Sequence, residues 1–111
     1  MNKQVAEVIG RVVLKPDVQK SKADKEYSKV RIAVNVKDKD QKGKPVEKVN
    51  YYDVLLFGKR AVKSPNLEKG MLIRALGPLS VKPYVTKKGD AKVELTLFAD
   101  DFHVFDTEVF K

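Results

Sequence analysis

Two of the four tyrosines stand among cations rather than inside apolar runs: Tyr27 lies near Lys25 and Lys29, and Tyr84 lies between Lys82 and Lys87. A flat π-face flanked by ammonium groups suits a ligand that is itself flat and polyanionic. Every nucleobase offers a face to such a ring while the flanking cations take the phosphates, and one stacked base contributes ~1–3 kcal/mol. A net charge of +8, from 23 basic against 15 acidic residues, agrees with a polyanionic partner, nucleic acid ahead of an anionic membrane surface. A further aromatic segment leaves a choice open. Tyr51, Asp53, Leu55 and Phe57 share one strand parity and Tyr52, Val54 and Leu56 the other, so one set is core, and periodicity does not say which.

Other chemistries find few residues to work with. Without cysteine there is no disulfide framework, thiolate zinc site or cysteine nucleophile, a composition that fits a reducing cytosol. His103, the single histidine, lies in an apolar segment with no matching nucleophile or base and reads as a packing residue. Asp100 and Asp101, adjacent on a regular strand, point to opposite faces and do not share one ion. No enzyme activity, metal or cofactor is expected. The N-terminus lacks the apolar core of a signal peptide, and no apolar run approaches the ~20 residues that span a bilayer, so an intracellular protein with no membrane partner is expected.

The elements that would position these side chains are short β-branched segments, at residues 5–14, 30–36, 49–57, 71–76 and 93–105, separated by turn signals. That pattern predicts a small all-β sandwich or barrel. A length of 111 residues with 42% hydrophobic content fills one core, so residues 1–111 are expected to form one domain. In the second segment Val30, Ile32, Val34 and Val36 alternate with Arg31, Ala33, Asn35 and Lys37, which assigns the first set to the core. Residues 38–45, with Gly43 and Pro45, form a charged hairpin loop, and residues 87–90 a shorter one. Residues 59–64 read as about two helical turns stopped by Pro65. The first segment is apolar on both faces: Ala6, Val8, Val12 and Leu14 on one, Val5, Ile9 and Val13 on the other. Either a second copy covers the extra face or the strand curves at Gly10.

The run Tyr51-Tyr52-Asp53-Val54-Leu55-Leu56-Phe57-Gly58-Lys59-Arg60-Ala61, then Asn66-Leu67-Glu68-Lys69-Gly70, then Gly77-Pro78-Leu79-Ser80-Val81-Lys82-Pro83-Tyr84, resembles the bacterial single-stranded DNA-binding protein family. Weaker likeness extends to residues 8–11 and 30–35, so the resemblance covers most of the chain. It implies an OB-fold, a five-stranded Greek-key barrel with one short connecting helix after the third strand and long hairpin extensions. It places Tyr51, Phe57 and Tyr84 outward as base-stacking rings, to which the basic setting of Tyr27 adds a fourth candidate. Along the same path the phosphate-binding candidates are Arg11, Arg31, Lys42, Lys44, Lys59, Arg74, Lys82, Lys87 and Lys88. The resemblance further implies a homo-oligomer, a tetramer or a dimer, for which Val5, Ile9 and Val13 are the interface candidates. Two departures stand out. No aromatic residue lies near Lys37 and Asp38, and no long acidic tail follows the last strand before Phe110 and Lys111, so tail-mediated recruitment of repair enzymes is not expected. The expected function is sequence-nonspecific coating of single-stranded DNA in replication, recombination or repair. The expected setting is a bacterial cytosol, with the gene chromosomal or carried by a phage or plasmid. The rival readings are a replication-restart OB adaptor and an RNA-binding OB module.

Overall fold

The structure, a computed structural model, describes residues 4–105. Its elements are β1 (Val5–Val12), β2 (Val18–Lys20), β3 (Glu26–Lys39), β4 (Pro45–Phe57), helix α1 (Lys59–Lys63), β5 (Leu72–Val85), β6 (Ala91–Phe98) and β7 (Asp101–Val104), with a 3-10 turn at Ser64–Asn66. Pairing runs β1–β3–β4–β6–β5 and returns to β1, so five strands close on themselves. Every seam is antiparallel except β4–β6, which is parallel. The short β2 flanks β3, and β7 flanks β5. This is the OB-type barrel that the family resemblance implies, with α1 following its third strand.

Closure follows from which residues face inward. Val8, Val12, Val30, Ile32, Val54, Leu56, Ile73, Ala75 and Leu97 are buried, mostly β-branched side chains whose stiff rotamers suit a pleated wall. Ala61 of α1 and Leu67 belong to the same core. The helix is tethered where Ser64 and Ser28, both buried, hydrogen-bond through their hydroxyls at 2.8 Å. Two glycines allow the wall to curve back on itself. A Cβ on Gly10 would lie 2.5 Å from the carbonyl oxygen of Ala33, and one on Gly77 would collide with the backbone of Phe98.

Several expectations need correction. The segment at 93–105 is two strands rather than one. Between the pairs Leu79↔Leu97 and Leu76↔Asp101, three steps along β5 face four along the partner, a bulge at Ala99 and Asp100 that bends the chain beside Gly77. Asp100 therefore sits in the bulge, its N–H donating to the Leu76 carbonyl, and only Asp101 belongs to a strand. The segment at 71–76 is the first part of a fourteen-residue strand that carries on into the hairpin. Val34 is half-buried and Val36 exposed, because β3 runs past the barrel into its own hairpin. The helix is one five-residue turn, and Pro65 lies within the 3-10 turn that continues it.

Candidate nucleic-acid interface

The register of β3 on β4 decides which side chains share a surface. Directly paired residues project to the same side, so Ser28↔Leu56, Val30↔Val54 and Ile32↔Tyr52 form the inner rows. The outer rows are Tyr27↔Phe57, Lys29↔Leu55, Arg31↔Asp53 and Ala33↔Tyr51. Tyr51 is 47% exposed and Phe57 50%, whereas Tyr52 packs against the core, so the open choice between the two parities is settled with Tyr51 and Phe57 outward.

Arg31 ties this surface together. Its guanidinium carbon lies 5.0 Å from the centre of the Tyr51 ring, and Nη1 donates to Asp53 Oδ1 at 3.3 Å. The pair orients a cation over an aromatic face, a contact worth ~0.5–1 kcal/mol at an exposed site. A groove of about 520 Å³ opens between β4 and the β5–β6 hairpin, with Tyr51 and Tyr84 among its walls together with Arg31, Asp53, Lys92 and Glu94. Arg31 and Asp53 also line a second groove, of about 300 Å³, with Lys29, Lys15 and Gln19. One surface track thus crosses β3 and β4. Tyr27 is half-buried beside it, its hydroxyl donating to Gln19 Oε1 at 2.8 Å.

The two hairpins carry lysines to their tips by local turn chemistry. Asp40 accepts from the backbone N–H groups of Lys42 and Lys44 at 2.9 and 2.8 Å, an Asx-type turn that leaves both side chains exposed. Lys87 and Lys88 stand in a turn closed by Thr86 N–H to the Asp90 carbonyl and Gly89 N–H to the Thr86 carbonyl, each at 2.9 Å. Lys82 and Tyr84 face Glu94 and Lys92 across the β5–β6 hairpin. At the base of the other hairpin, the Asp38 carboxylate is held below its ordinary pKa, first by the Lys39 N–H at 2.7 Å and then by Lys48 at 3.3 Å.

Not every expected residue joins the track. Arg74 lies on the outside of β1–β5–β7, paired with Ile9 on one side and His103 on the other. Its guanidinium meets Glu7 at 2.7 Å and Asp101 at 3.1 Å, and these two hydrogen bonds, Glu7's first, push its pKa further up. Arg11 turns Nη1 to the Gly70 carbonyl at 2.9 Å. Val5 and Ile9 are nearly half exposed on that outer surface, but Val13 is half-buried. His103, expected in the packing, is exposed and stands edge-on to Phe105 at 5.5 Å. The charge pairing around Arg74 is invisible in one dimension, because Glu7 and Asp101 come from distant strands. Lys92, missed from the sequence, becomes legible only from its register opposite Tyr84. Phe98, 40% exposed and opposite Leu55, is a further outward aromatic of the same kind. Residues 106–111, on which the tail expectation falls, lie outside the described residues.

A closed five-stranded OB barrel, with aromatic and basic side chains outside its β3–β4 wall and lysine-tipped hairpins beyond, is the architecture of an oligonucleotide-binding protein. The Single-strand binding protein family matches residues 1–105, and the chain belongs to that family. Its ligand class is accordingly single-stranded DNA. No curated protein sequence matches the chain. Among solved structures it is similar to a small single-stranded DNA-binding protein from Streptomyces coelicolor, at 19% identity and TM-score 0.74 over 97% of this chain and 99% of the other. A Plasmodium falciparum SSB in complex with ssDNA matches at 19% identity and TM-score 0.70, over 96% of this chain and 97% of that one. A deletion mutant of the single-stranded DNA-binding protein from Thermus aquaticus matches at 23% identity and TM-score 0.71, over 95% of this chain but 51% of that one. At these identities the likeness establishes the fold.

Proposed function

We propose that the protein coats single-stranded DNA without sequence preference, as one OB domain, and protects it during replication, recombination or repair. The observation that carries this reading is the groove shared by Tyr51 and Tyr84, with Arg31 and Lys92 beside the rings. Bases stack on Tyr51, Tyr84 and Phe57, with Tyr27 bordering Phe57. Phosphates are met by Arg31, Lys59 and Lys82, and by Lys42, Lys44, Lys87 and Lys88 from the hairpin tips. None of these groups needs a sequence-specific contact, since a ring reads any base and an ammonium any phosphate. The partners of Arg74 and the turn of Arg11 toward Gly70 give these two a smaller share. No catalytic step and no cofactor enters.

The exposed Val5 and Ile9 on β1 support a homo-oligomer in which a second copy covers that face. Among the described residues no helix is long and apolar enough to cross a membrane, and a bacterial cytosol is the setting that fits a cysteine-free DNA-coating protein. Titration with oligo-dT against duplex DNA of the same length tests the reading. Oligo-dT binds more tightly, with log K falling against log salt by about 0.7 per phosphate neutralised. Equal affinity for the duplex would overturn it.

A further inference from the structure

We propose that α1 forms a second base-binding pocket beyond Phe57, in which a nucleobase of the same bound strand lodges between Phe57 and Val62. This rests on the single-stranded DNA reading above and lengthens the strand's path past the β3–β4 wall. A cleft of about 500 Å³ lies between the turn leading into β3 and the outer side of α1, within the size range of small-ligand sites. Its lining includes Phe57, Val62, Lys25, Lys59 and Lys63, and its wall is mainly apolar.

Three observations point to a base as the occupant. First, Phe57 belongs both to the outer row of β4 and to this cleft, so the pocket is continuous with the track. Second, Val62 is 53% exposed, on a helix whose inner side is already committed to the core through Ala61. An exposed aliphatic side chain and an exposed phenyl ring lining one cleft suit a flat apolar ligand. Third, the rim is cationic. Lys59 and Lys63 stand four residues apart on one side of the helix with Lys25 across the cleft, and among the described residues none of the three is in an ion pair. Two acidic residues, Asp24 and Glu26, also line the cleft against the three lysines, and Asp24 is engaged by Lys20 at 3.7 Å. The walls are braced, because Gly58 N–H donates to the Glu26 carbonyl at 3.1 Å and Ser64 fastens the helix to Ser28. An apolar side chain of a protein partner would find the same carbon wall, but its backbone would leave the three lysines without anions.

Oligo-dT of increasing length, titrated against the wild-type protein and Val62→Asp, tests the assignment. Oligomers just long enough for the Tyr51–Tyr84 groove bind both proteins alike. On lengthening, the wild type gains affinity when the strand reaches α1, and Val62→Asp lacks that gain, a deficit of roughly 5- to 150-fold for one stacked base. Val62→Trp, which enlarges the wall, moves the long oligomers the other way, so a folding defect in one variant does not decide the result. A 5-iododeoxyuridine placed at the corresponding position photocrosslinks to α1, within residues 59–63. Variants that match the wild type at every length overturn the pocket, and so does a crosslink confined to β4 and β5. Failure of the wild type to bind the short oligomers sinks the DNA reading itself, a different outcome.

Discussion

The outer surfaces of β3–β4 and of β1–β5–β7 draw on the same stock of cations and exposed apolar side chains, yet they leave those cations in different states. On β1–β5–β7 the Arg74 guanidinium is clamped by Glu7 and Asp101, and Arg74 pairs across the sheet with the exposed Ile9 of β1 and the exposed His103 of β7. On β3–β4 Arg31 has one carboxylate partner, at the longer distance of 3.3 Å, and its guanidinium lies over a tyrosine. Lys29, Lys59 and Lys92 nearby make no ion pair among the described residues. An approaching phosphate would displace two carboxylates at Arg74 and at most one at Arg31. The number of basic residues therefore says little about binding, and their cross-strand neighbours say much.

The contrast breaks first at the rings. Tyr51→Ala/Tyr84→Ala removes two stacking platforms and is expected to weaken oligo-dT binding by ~2–6 kcal/mol, with the salt slope unchanged because no charge is lost. Fluorescence or shift titration checks it, and unchanged affinity would show that the rings are structural. On the other surface, Ile9→Asp places a charge where a second copy is proposed to sit. Light scattering should then report a smaller particle while short oligo-dT binds as before. Charge removal sharpens the comparison further. Lys87→Gln/Lys88→Gln is expected to flatten the salt slope by about 1.4, the sum for two phosphate contacts, whereas Arg74→Gln changes the slope by less than one full contact and lowers the melting temperature slightly.

The smallest effect is at Asp38. Its folded pKa lies below the ordinary 3.8, so its contribution is present above that value and lost as pH falls through the folded value. The Lys39 amide resonance, which reports the hydrogen bond, should shift with a midpoint below pH 3.8. A shift centred at or above 3.8 would contradict the contact.

Much of the architecture was legible because local rules act over a few residues. Alternation at Val30 and Ile32 marks a core strand, and the residues around Asp40 and Gly43 build a turn wherever they fall. Family resemblance supplied what periodicity left open, the outward face of Tyr51 and Phe57. What stayed hidden depends on register between distant segments. The break at Ala99 and Asp100 exists because two strands must pass Gly77, and nothing in residues 93–105 alone demands it. Likewise Val62 looks like an ordinary helix residue until α1 is placed against Phe57.

The parallel seam between β4 and β6 also bears on how the molecule comes into being. The β3–β4 ribbon pairs over thirteen consecutive positions across a short hairpin, so the DNA-facing wall assembles from near neighbours as soon as both strands have been synthesised. In contrast, β1 finds no β5 partner for Val5 until the ribosome has passed Pro78, and β4 waits for its parallel neighbour until Phe98 is made. Contacts so far apart in sequence close slowly. During that interval the nascent chain holds one finished wall and unsatisfied edges on both β1 and β4, the period in which it is most exposed to mispairing.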